Sequence, residues 1–133
     1  MTSKTYEFEL LINDSHLDSL GHVNNAKYLE MLEQARWDVL VQNGLSFEKI
    51  LAEKTVPVVL EVNIKFKKEL RKGDRVNLLT NFLPRNGKII TVEQQIVTES
   101  GQISALATFT MAIFDLNSRK IIEPTSSWLK LLE

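Results

Sequence analysis

The chain has 133 residues, a length that fits one domain, and its mix of 44% hydrophobic and 25% charged residues is that of an ordinary globular protein. A net charge of −1, from 16 Lys and Arg against 17 Asp and Glu, gives no electrostatic case for nucleic acid as the main partner. Cysteine is absent, which excludes disulfides, thiolate metal sites and a cysteine nucleophile, and fits a reducing cytoplasm.

The first residues, Met1 to Glu7, lack the apolar core of a signal peptide. No apolar run approaches the ~20 residues of a membrane span, so no membrane span is expected. Tyr6 to Ile12 reads as a strand, with Tyr6, Phe8, Leu10 and Ile12 on one side. Asn13 to His22 is polar and reads as a loop. Tyr28, Met31, Leu32, Ala35, Val39 and Leu40 then recur at helical spacing, which predicts one long helix over Asn24 to Asn43, capped by Gly44. Ser46 caps a short second helix ending near Lys54, with Phe47, Ile50 and Leu51 expected inward.

After Pro57 the period changes. Val58, Leu60, Val62, Ile64 and Phe66 alternate with Glu61, Asn63, Lys65 and Lys67, predicting a long half-buried strand. Arg71-Lys72-Gly73-Asp74 is a turn. Strands follow at Val76 to Leu83 and Ile89 to Thr98, joined by a hairpin signalled by Asn86-Gly87. Ile103 to Leu116 is apolar on both faces and is expected centrally in the sheet, which then needs cover on both sides. A short strand near Lys120 to Ile122 and a final helical turn carrying Trp128 complete the chain. The plan is α+β: one long helix on a curved antiparallel sheet, residues 1–133 forming a single domain.

Chemistry concentrates at Asp18-Ser19-Leu20-Gly21-His22-Val23-Asn24-Asn25, where a polar turn runs into the long helix. The first N–H groups of a helix lack intrahelical partners, and the dipole there favours negative charge. A carboxylate beside such donors suits attack on a carbonyl and stabilisation of the oxyanion formed; capping by Asp18 and Asn24 is the simpler alternative. Asp14, His16, Asp18 and His22 together would be the residues of any metal site. There is no Gly-x-Ser-x-Gly elbow and no phosphate-binding glycine loop.

Asp18, Gly21-His22-Val23-Asn24-Asn25 and Tyr28, followed by Leu32-Glu33-Gln34-Ala35-Arg36, resemble the hotdog-fold thioesterases. The branch they resemble is that of the 4-hydroxybenzoyl-CoA thioesterase-like acyl-CoA thioesterases, and the His-Val-Asn-Asn-x-x-Tyr piece is also similar to plant acyl-ACP thioesterases. The resemblance implies a long helix wrapped by an antiparallel sheet, and hydrolysis of an acyl-CoA or acyl-ACP thioester without metal or cofactor. It also implies a homodimer or homotetramer with its pocket between subunits. Asp18 falls on the catalytic carboxylate, the Asn25 N–H on the oxyanion donor, and His22 is a further catalytic candidate. Two positions depart from the pattern: His16 stands where many relatives carry Asp, and Leu20 where the plant enzymes carry Asn.

Asn24 and Tyr28 are candidate substrate contacts, Tyr28 as a lining of the acyl pocket. Lys65, Lys67, Lys68, Arg71 and Lys72 form a basic cluster, and Arg85 with Lys88 a second, either of which could meet CoA phosphates. Glu33 and Arg36 are three apart on the helix and could pair as a surface or interface ion pair. The rival reading of the whole chain is a non-catalytic acyl-CoA-binding hotdog module or ligand sensor.

Overall fold

The computed structural model describes residues 4–132. Six strands and three helices appear in the order β1 (Thr5–Leu11), α1 (Asn25–Gln42), α2 (Phe47–Glu53), β2 (Thr55–Phe66), β3 (Arg75–Phe82), β4 (Ile90–Thr98), β5 (Ile103–Asp115), β6 (Lys120–Ile122) and α3 (Ser126–Leu132). The strands form one antiparallel sheet in the order β1-β3-β4-β5-β2, with β6 continuing the β4 side of β5. This is the hotdog plan, with α1 laid across the concave face.

The helix forms where the 3.6-residue stripe begins. Asn24 caps it with its side-chain oxygen on the Ala26 N–H, and Tyr28, Met31, Leu32, Ala35, Val39 and Leu40 are buried. They meet Val76 and Leu78 of β3, Ile90, Val92 and Ile96 of β4, and Ala105, Ala107, Phe109 and Met111 of β5. Full burial of each large side chain stabilises the fold by roughly 1.5–3 kcal/mol. At the far end, Leu45 N–H bonds back to the Leu40 carbonyl and Gly44 takes φ +78, closing the helix.

Three local expectations need correction. In β2 the alternation does not run unbroken. The register against β5 slips between Val59 and Glu61, leaving Leu60 as a bulge. Pro57 and Val59 therefore oppose Ile113 and Met111, whereas Val62, Ile64 and Phe66 oppose Phe109, Ala107 and Ala105. The helix-facing set is 57 and 59, then 62, 64 and 66; Val58 lies on the other face. In α2 only Ile50 is buried. Phe47 and Leu51 flank it and stay open, 59% and 45% exposed, because seven residues present too narrow a face to bury all three. Phe47 instead sets its edge against the Trp37 ring, centroids 5.8 Å apart. In the β3–β4 hairpin, Asn86 and Ile89 exchange both backbone bonds and only Gly87 has positive φ. The two-residue loop is thus Gly87-Lys88, glycine first, rather than Asn86-Gly87.

Candidate active site

The segment between β1 and α1 is organised by its own side chains. Asn13 and His16 form a reciprocal cap on the one-turn 3-10 segment Asp14–His16: Asn13 accepts from the Ser15 N–H, and His16 Nδ1 accepts from the Asn13 N–H at 3.0 Å. Leu17 and Val23 then pair as an isolated antiparallel bridge. Between them the chain reverses, with the Asp18 N–H on the His22 carbonyl (2.8 Å) and the Gly21 N–H on the Asp18 carbonyl (3.1 Å). Gly21 has φ +79, a conformation side chains resist.

This reversal fixes Asp18. Its Oδ1 accepts from the Leu20 N–H at 2.8 Å and the His22 N–H at 3.2 Å. Its Oδ2 has no hydrogen-bond partner among the described residues. Three residues past the reversal the helix starts. Asn24 Oδ1 accepts from the Ala26 N–H at 2.8 Å, and the Lys27 N–H bonds to the Asn24 carbonyl. The Asn25 N–H between them has no acceptor among the described residues, as the geometry of a helix start requires. Asp18, His22, Asn24, Asn25 and Tyr28 line one cleft of about 480 Å³, whose far wall is Phe66 to Glu69 from the end of β2.

Two of these wall residues, Phe66 and Glu69, are not marked as site residues by the sequence. Phe66 lays its ring edge-on to Tyr28 at 5.0 Å. Burial of Tyr28 pushes its phenol above the ordinary value of 10.0. Glu69 Oε2 lies 3.2 Å from His22 Nε2, so the imidazole faces Glu69 across the cleft while the His22 backbone holds Asp18. Glu69 Oε1 accepts from Arg71 Nε and Nη2 at 3.0 and 2.7 Å. The Arg71 hydrogen bonds, the Arg71 charge and then the His22 charge hold the Glu69 carboxyl below its ordinary 4.5. The only local trace of Glu69 is one acidic residue inside a basic run; its partner His22 is remote in sequence.

That basic run is largely committed within the chain. Lys68 bonds the Gln102 side chain, Arg71 pairs with Glu69, and Lys72 reaches Asp14 at 3.1 Å. Lys67 lines the cleft, and neither it nor Lys65 has an ion-pair partner among the described residues. In the second cluster Arg85 pairs with Glu123 at 3.0 Å, and Lys88 is exposed at the hairpin. His16 and His22 turn to different partners, and no three His, Asp or Glu of the described residues are grouped as metal ligands. The Glu33–Arg36 pair also needs correction. Arg36 is 8% exposed; its Nη1 donates to Gln94 Oε1 at 3.0 Å and its guanidinium stacks on the Phe109 ring at 4.1 Å.

Comparison with known proteins shows the family and the fold. The model of the thioesterase-like superfamily matches residues 12–131. The long-chain acyl-CoA thioesterase FadM of Escherichia coli strain K12 is 36% identical over 115 residues, 86% of each chain. The crystal structure of Escherichia coli YbaW is 34% identical with a TM-score of 0.82, covering 95% of this chain and 96% of that one. The hypothetical protein SAV2348 of Staphylococcus aureus, solved in complex with CoA, shares the fold at a TM-score of 0.90 with 15% identity, over 99% of this chain and 84% of that one. By the family model and by its FadM relative, the chain belongs to the thioesterase-like superfamily.

Proposed function

We propose that this enzyme hydrolyses acyl-CoA thioesters, with Asp18 and the start of α1 as its catalytic centre. One observation carries the reading: Asp18, whose Oδ2 has no hydrogen-bond partner among the described residues, and Asn25, whose N–H has no acceptor among them, line the same cleft. Asp18 takes a proton from water as general base, or attacks the thioester carbonyl itself to form an anhydride. The oxyanion faces the Asn25 N–H and the positive end of the α1 dipole. The CoA thiolate leaves; on the water route the acid is then free, and on the anhydride route a water cleaves the anhydride to release the acid and restore the Asp18 carboxylate. The aromatic wall of Tyr28 and Phe66 suits the first carbons of an acyl group, and Lys67 suits a phosphate of the carrier. A FadM relative at 36% identity supports CoA as that carrier, with acyl carrier protein as the alternative. The lack of cysteine fits a cytoplasmic setting.

The functional unit in this reading is a homodimer or a homotetramer built from it. β2 is an edge strand, and Val59, Leu60, Val62 and Phe66 on it are 37–47% exposed. Antiparallel pairing of β2 with its copy would cover this edge and set the cleft of one subunit beside the start of the other's β2.

A panel of acyl-CoAs with detection of released thiol tests the activity. Turnover by the wild type and its loss in Asp18→Asn support the reading. An acyl-CoA that binds and is never hydrolysed would establish a ligand-binding module instead.

A further inference from the structure

A second, smaller cavity of about 100 Å³ lies between α1, α3 and the ends of β2 to β5. Its walls are apolar, with Trp37, Phe82, Met111, Trp128 and Leu131 among them. One wall residue is Arg36. A guanidinium carries five N–H donors, and only Nη1 has a protein acceptor among the described residues, Gln94 Oε1. Gln94 is itself fixed, donating to the Leu32 carbonyl and to Thr80 Oγ1, both at 3.0 Å. Arg36 is therefore held in place, with its flat face on Phe109.

Its other nitrogens are not sealed in protein. Among the described residues the one fully enclosed side-chain N or O without a partner is Asn77 Oδ1. The spare donors of Arg36 are thus not fully enclosed, and, of the cleft and this cavity, it is the cavity that Arg36 lines. Burial lowers the Arg36 pKa to about 10, so it stays a cation at neutral pH in desolvated surroundings. The other charged residue on this cavity, Glu33, is exposed and makes no ion pair with Arg36 within 4 Å. A purely hydrocarbon tail would fill the cavity and leave the donors unanswered, which costs binding.

We propose that this cavity receives the far end of the acyl group and that Arg36 selects chains bearing an acceptor oxygen there, a carboxylate above all. The proposal rests on the acyl-CoA reading and adds the substrate class. The cavity is smaller than a whole-ligand site, which spans roughly 300–1,000 Å³, so it suits a chain terminus. Arg36 is eleven residues beyond Asn25 on α1, about 16 Å along the axis.

The test compares ω-carboxyacyl-CoAs with unsubstituted acyl-CoAs over chains of about 6 to about 16 carbons, matched to that reach. At one or more lengths kcat/KM should favour the ω-carboxy thioester by roughly tenfold, the lower range for a hydrogen bond to a charged group. In Arg36→Met the ratio should fall to about one. In Glu33→Gln, an exposed change that spares the core, it should rise, because the one opposing charge at the cavity is gone. No preference at any length, a preference that persists in Arg36→Met, or an unchanged ratio in Glu33→Gln overturns the proposal. Calorimetric binding of the same thioesters to Asp18→Asn reads the preference without turnover. Absence of thiol release from every thioester would fail the thioesterase reading alone; equal binding of both series would fail the Arg36 assignment alone.

Discussion

Asp18→Asn separates chemistry from architecture at a single atom. The amide oxygen can still accept from the Leu20 and His22 N–H groups, while the partnerless carboxylate oxygen is replaced. Thiol release should fall at least ~10²-fold, the lower range of a general-base contribution, with a melting temperature close to wild type. Near wild-type turnover in a folded variant would dismiss Asp18 as base or nucleophile; a large drop in melting temperature would make it a loop cap instead. Glu69 gives a pH prediction. Its folded pKa is depressed by Arg71 and then by His22, so the stability it contributes is fully present above about 4.5 and is lost as pH falls through the lower folded value. Melting temperatures should decline through this acid window in the wild type, and less steeply in Glu69→Gln.

At the scale of elements, α1 was legible because its apolar positions keep helical spacing from Tyr28 to Leu40 and because Asn24 is a strong cap. The strands were legible from their alternation and turn residues. The slip at Leu60 was not: a bulge adds one residue without a compositional mark, and here no glycine announces it. The roles of Asp18 and the Asn25 N–H come from the resemblance to hotdog thioesterases, carried by one short segment in which the two residues lie seven apart. Glu69 and Gln94 could not be named, since they meet His22 and Arg36 through the fold, and periodicity carries no information about such pairings. Gln94 is the polar joint between α1 and the sheet. Gln94→Leu should leave Arg36, Thr80 and the Leu32 carbonyl short of partners and cost roughly 1–3 kcal/mol or more in urea unfolding. Leu32→Ala, a cavity in the same layer, should cost about 2–5 kcal/mol.

For the whole molecule, the proposed pairing of the open β2 edge sets how much protein one active unit would need. A homodimer or larger mass is expected by light scattering at micromolar concentration. Val62→Asp, which charges an exposed apolar position on β2, should shift the mass toward monomer and lower thiol release together. Monomeric wild-type protein with full activity would refute the paired-edge arrangement. The bulge at Leu60 bears on the same edge from another side. An unbroken twelve-residue edge strand, more than half of it apolar, would be a longer template for open-ended stacking of strands, the route to fibrils. Leu60 interrupts that template midway along and bends it, leaving a short regular stretch, residues 61–66, for orderly pairing. Its deletion should restore a continuous ladder and raise aggregation on mild heating, measured by thioflavin fluorescence, so that the irregular residue guards solubility as well as shaping the wall.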